Sequence, residues 1–107
     1  MAGLDFGRFS QPALHVLASL LEGPKHGHAI GADIEQFTGR RPGPGTLYGA
    51  ITRLERHGLI RPLSAEGRRR PYTLTATGLA TVRRELSDLE QLTREGRRRL
   101  RLREGLT

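Results

Sequence analysis

The stretch Arg40-Arg41-Pro42-Gly43-Pro44-Gly45-Thr46-Leu47-Tyr48-Gly49-Ala50-Ile51-Thr52-Arg53-Leu54-Glu55-Arg56-His57-Gly58 decides how this chain folds. Residues 40–45 hold too much Pro and Gly for a helix and read as a tight turn. From Thr46 onward, Leu47, Ile51 and Leu54 recur at spacings of four and three, one face of a helix, and Gly58 supplies a terminator. The spacing predicts a helix over about 45–57, with Gly45, Tyr48, Thr52 and Arg56 turned to the opposite face and Arg53 beside them.

Two further helices precede it. Ser10 is a capping residue, Pro12 suits a first turn, and Leu14, Leu17, Leu20 and Leu21 recur at helical spacing until Gly23-Pro24 stops them, giving a helix over about 11–22. Ile30, Ile34 and Phe37 mark a second over about 27–38, with His26 and His28 as turn and capping residues and Gly39 as a left-handed stop. Downstream, Leu59-Ile60-Arg61-Pro62-Leu63 and Arg70-Pro71-Tyr72-Thr73-Leu74 flank a stretch containing Gly67, so the pair reads as a hairpin whose prolines confine it to a small, edge-like ribbon. Thr75 then caps a long helix in which Leu79, Val82, Leu86, Leu89, Thr93, Gly96 and Leu100 form a heptad seam, weakened at Thr93 and Gly96, so that bending or fraying is expected beyond Gly96. The fold expected is mainly α with a small β-hairpin: an N-terminal arm over 1–10, a winged helix-turn-helix over 11–75, and a C-terminal dimerisation helix with its tail over 76–107.

Composition limits what such a chain does. Its 107 residues carry 18 Lys+Arg against 11 Asp+Glu, a net charge of +7, and no Cys. No apolar run approaches the roughly 20 residues of a bilayer span, and no disulfide framework, Cys-ligated metal or secretion signal is legible, so a cytoplasmic protein with no membrane partner is expected. The positive charge is clustered at Arg40-Arg41, at Arg68-Arg69-Arg70 and between Arg83 and Arg103, where Glu85, Asp88, Glu90 and Glu95 interleave it as on a charged helix surface.

The run from Pro44 to Ile60, with His26-Gly27-His28-Ala29-Ile30 before it and Arg69-Arg70-Pro71-Tyr72-Thr73-Leu74-Thr75-Ala76-Thr77-Gly78 after it, resembles the PadR family of bacterial transcriptional regulators, over about residues 13–90. The most specific parts are the Gly-Thr-Leu-Tyr opening of the third helix, its Leu-Glu-x-x-Gly-Leu-Ile exit, and the Tyr-x-Leu-Thr-x-x-Gly approach to the last helix. The resemblance implies a homodimeric repressor of the short subgroup with one C-terminal helix, which packs on the partner subunit. It also implies release from DNA by a small molecule. His28 stands where the family often has Tyr, and the absence of Trp excludes a tryptophan-lined pore like that of some short members.

The chemistry of the residues fits a double-stranded DNA operator. Gly45, Thr46, Tyr48, Thr52, Arg53 and Arg56 form the face expected to enter a major groove: Tyr48 donating to a phosphate, Thr46 at a helix N-terminus that favours phosphate, and Arg56 reaching a guanine edge or a phosphate. The alternative is that Tyr48 packs on the second helix and the arginines are merely solvated. Arg68, Arg69 and Arg70 suit a wing that tracks the backbone or enters a minor groove, or else a solubilising loop. His26, His28 and His57 lack a recognisable ligand spacing, and no phosphate loop, nucleophile elbow or carboxylate pair is present, so neither metal, cofactor nor catalytic residue is expected. Leu79, Val82, Leu86, Leu89 and Leu100 are the expected dimer interface, with Phe6 and Phe9 padding it, walling a pocket for a small aromatic or apolar effector, or belonging to a free arm. A winged-helix protein-interaction module with a basic surface is the rival reading.

Overall fold

The computed structural model describes residues 10–64 and 70–105, so Phe6, Phe9, Arg68 and Arg69 lie outside the described residues. Helix α1 spans Gln11–Ser19 and runs into a 3₁₀ turn, Leu20–Glu22; α2 spans Gly27–Thr38 and α3 Pro44–Arg56. Strands β1, Ile60–Pro62, and β2, Tyr72–Leu74, lead to α4, Ala76–Gly105.

Local chemistry places these boundaries. The Ser10 hydroxyl accepts the Ala13 N–H at 3.4 Å, and Pro12 sits in the first turn of α1. Gly39 closes α2 in the left-handed region at φ 81°, as its position in the sequence predicts. His26 holds the N-cap position of α2 without a side-chain capping bond; its Nδ1 is buried and unpartnered among the described residues, so its capping role is positional only.

Val16 and Leu17 of α1, Ile30 of α2, Ile51 and Leu54 of α3, Ile60 of β1 and Val82 of α4 are all almost fully buried. Each contributes on the order of 1.5–3 kcal/mol of apolar burial. Two sequence expectations are corrected here. Val82, assigned to the dimer seam, is 1 % exposed within its own subunit, because the first turns of α4 lie across the core, so it has no area left for a partner. Phe37, assigned to the core stripe of α2, is 49 % exposed and stands edge-on to His15 at a centroid distance of 5.7 Å.

The ribbon pairs Ile60 with Leu74, Arg61 with Thr73 and Pro62 with Tyr72. Tyr72 is not a free edge. Its N–H donates to the Lys25 carbonyl at 2.9 Å and its carbonyl accepts the Lys25 N–H at 3.1 Å, so the chain between α1 and α2 flanks β2. The Lys25 ammonium reaches Glu22 at 2.9 Å and Asp33 at 3.7 Å, and Asp33 accepts the buried Ser19 hydroxyl at 2.7 Å. These bonds satisfy polar groups where α1, α2 and the ribbon converge.

One joint fixes the direction of α4. Gly58, at φ 75°, turns the chain out of α3, and the Leu59 N–H returns to the Leu54 carbonyl at 2.9 Å. The Thr75 N–H donates to the Leu59 carbonyl at 3.1 Å, its hydroxyl donates to the Gly58 carbonyl at 2.7 Å, and the same oxygen caps the Gly78 N–H at 3.0 Å. The two glycine motifs flanking the ribbon are therefore two halves of one contact.

Helix α4 passes through Gly96 without interruption, against the expectation of fraying. Glu95 accepts from Arg98 at 2.7 Å and Arg99 at 2.6 Å, so ion pairs span the weak position. Hydrogen bonds from Arg98 and then Arg99 hold the Glu95 carboxyl at about 2, below its ordinary 4.5. A carboxyl depressed in the folded state favours that state above its ordinary pKa, and the benefit is lost as pH falls from about 4.5 toward 2. Glu95→Gln should accordingly speed amide hydrogen exchange over residues 97–105 at pH 7 and 50 mM salt, and the difference from the parent should shrink at pH 2. Equal exchange at pH 7 would mean that these pairs do not hold the tail.

Candidate nucleic-acid interface

Burial of Leu47, Ile51 and Leu54 fixes the roll of α3. Thr46, Tyr48, Thr52, Arg53 and Arg56 are consequently exposed, together with Gly45 at the first turn. The helix thus presents hydroxyls, a phenol and two guanidinium groups on one side. Gly43 at the N-cap has no side chain to offer, and Pro44 fills the first turn. Arg53 and Arg56 lie in the last turn, where a cation also complements the helix dipole.

Tyr48 combines both readings of it. Its side chain is 48 % exposed, yet the ring lies over Gly27 at the start of α2, so closely that a Cβ on Gly27 would sit 2.6 Å from Tyr48 Cε1 and Oη. Among the described residues the hydroxyl has no hydrogen-bond partner. Gly27 is thus the seat of the phenol, a role the sequence reading missed; the signal available was a helix beginning with Gly, a poor helix former, at a position with no turn to make.

The turn before α3 is held by Arg41, whose guanidinium lies 3.5 Å from Glu35 and donates to the His28 carbonyl at 3.4 Å. The Arg40 N–H donates to the Thr38 hydroxyl at 3.1 Å, while its guanidinium has no ion pair among the described residues. Arg70 is exposed at the start of the second ribbon arm. His26, His28 and His57 join no group of three metal-ligating side chains among the described residues. Beyond Val82, α4 leaves Leu86, Leu89, Leu92, Leu100 and Leu102 at 42–68 % exposure, with Leu79 at 40 %.

Three helices, a ribbon packed against the third, and a long closing helix define a winged helix-turn-helix, the class of many DNA-reading modules. The Transcriptional regulator PadR-like family model matches residues 16–84. The chain is 35% identical over 85 residues to the transcriptional regulator Rv3488 of Mycobacterium tuberculosis, covering 77% of this chain and 78% of that protein. It is 47% identical over 85 residues, 79% of its length, to an uncharacterized 37.1 kDa protein in transposon TN4556 of Streptomyces fradiae, of which it spans only 25%. Among solved structures, a transcriptional regulator from Clostridium thermocellum superposes with a TM-score of 0.72 at 27% identity, covering 81% of this chain and 87% of that one. The chain belongs to the PadR-like family of transcriptional regulators. No helix among the described residues is long and apolar enough to cross a membrane.

Proposed function

We propose that the protein is a homodimeric repressor that acts in the cytoplasm, on the nucleoid, by binding a roughly palindromic operator. In this reading residues 11–75 bind DNA, and residues 76–107 supply the dimer contact through Leu79, Leu86, Leu89 and Leu100. The observation that carries it is the exposed row Thr46, Tyr48, Thr52, Arg53 and Arg56 on a helix whose other side is locked in the core. Thr46 and Tyr48 bond phosphate, Arg56 reads a base edge, and the wing arginines, Arg70 with Arg68 and Arg69, neutralise backbone charge. A small apolar or aromatic effector, seated between α4 and the partner subunit, would release the operator; the exposed leucines supply the apolar surface for it.

The test compares variants on DNA enriched from a random pool. Arg56→Ala should cost about 1–3 kcal/mol on the selected site and little on random DNA, and protected half-sites should lie about 10 bp apart, or a multiple of that. Arg70→Ala should weaken both DNAs alike and lower the salt slope by about 0.9. Gly27→Ala should leave the melting temperature nearly unchanged, since the half-exposed Tyr48 ring gives way, but should weaken DNA binding as Tyr48→Ala does. Full affinity in both Arg56→Ala and Gly27→Ala would remove this face from the interface.

A further inference from the structure

A cavity of about 510 Å³ lies between the start of α1, the end of α2 and the turn into α3. That volume falls within the range that encloses small organic ligands, about 300–1,000 Å³. It lies among α1, α2 and α3, whereas the effector proposed above sits on the leucines of α4. Its apolar wall comes from Pro12, Ile34, Pro42 and Leu47, and its polar wall from His15, Arg40 and Arg41. No Asp or Glu lines it, so the polar wall carries only positive charge. Arg41 is already tied to Glu35 and to the His28 carbonyl, whereas the Arg40 guanidinium has no partner among the described residues. The T-shaped contact with Phe37 holds the His15 ring against the opposite side.

We infer that this cavity is a binding site for a small organic anion, a carboxylate on an apolar body, with the Arg40 guanidinium taking the charge and Ile34 and Leu47 taking the body. The arrangement of one charged group beside a mostly apolar wall is the common design of small-molecule sites. A guanidinium suits a carboxylate because its planar fork offers two parallel donors. Thr46 also lines the cavity, and it belongs to the face proposed above to meet DNA. Occupancy and DNA binding should therefore oppose each other, a coupling that rests on the proposed function, whereas ligand binding to the DNA-free protein does not.

The full chain without DNA, followed by backbone amide NMR, is titrated with 3-phenylpropionate and separately with its neutral amide. The carboxylate should give saturable shifts at His15, Thr38, Arg41 and Leu47. The amide should bind at least tenfold more weakly. Arg40→Ala should weaken the carboxylate at least tenfold and leave the amide unaffected, while Arg40→Lys should recover part of the loss. Shifts that are absent, that never saturate, that are equal for acid and amide, or that cluster on the α4 leucines would overturn the inference. In the DNA arm, saturating 3-phenylpropionate should lower affinity for the selected DNA at least tenfold. If the acid binds as described and DNA affinity stays constant, the site stands and its coupling through Thr46 fails. If no DNA is preferred at all, the proposed function fails and the anion site is still decided by the DNA-free titration.

Discussion

Gly78→Ala will destabilise this protein more than any other single methyl group added to it. A Cβ at Gly78 would lie 1.9 Å from the Leu59 carbonyl oxygen and 2.9 Å from its carbon, and neither atom can swing aside as a side-chain tip would. The same oxygen already accepts the Thr75 N–H, so the first turn of α4 must retreat and the joint with Gly58 and Leu59 opens. Val82, buried one turn further on, moves with it. The expected loss exceeds about 3 kcal/mol, against a total of about 5–15 kcal/mol for a domain of this kind. At roughly 4–8 °C per kcal/mol, melting should fall by more than about 12 °C. Gly96→Ala is the control. Nothing lies within 4 Å of a Cβ there, and relief of glycine's helix penalty, about 1 kcal/mol, should raise the melting temperature or leave it unchanged. A Gly78→Ala protein that melts within a few degrees of the parent would show that α4 does not press on Leu59.

The second large effect concerns α4 beyond the core. Leu86 and Leu89 are each more than 40 % exposed in the single chain, on a seam that continues to Leu100. A soluble domain gains on the order of 1–2 kcal/mol for each such leucine it covers, and the subunit has no element left to cover them. Leu86→Glu with Leu89→Glu should convert a dimer to a monomer in sedimentation while leaving the thermal unfolding of the winged domain intact. Loss of the second half-site should then weaken operator binding by about 10²–10⁴-fold, the usual gain from linking two sites. A double variant that still sediments as a dimer would place the contact elsewhere.

The order of helices and ribbon was legible because each boundary carries a local signal: Ser10 and Thr75 as caps, Gly39 and Gly58 as left-handed stops, and the period of Leu47, Ile51 and Leu54. Exposure along α3 followed from the same period. What depended on distant partners was not legible. Val82 fits a heptad and a core stripe equally well, and only the lie of α4 across α1 decides between them. Lys25 shows no strand pattern, since a single residue pairs with Tyr72. Gly27 and Gly78 look like ordinary helix glycines until the Tyr48 ring and the Leu59 carbonyl are placed against them. The continuity of α4 through Gly96 depended on Glu95 gathering two arginines, a side-chain geometry that helical spacing allows without requiring.

The most direct measurement is the affinity of the purified protein for the sequence it enriches from a random DNA pool, set against a scrambled duplex of the same length at physiological salt. A regulator that reads bases through α3 should bind the enriched site about 10³-fold or more tightly than the scrambled one. Equal affinity for the two duplexes would contradict sequence-specific reading and leave a winged-helix module whose basic surface serves a protein partner.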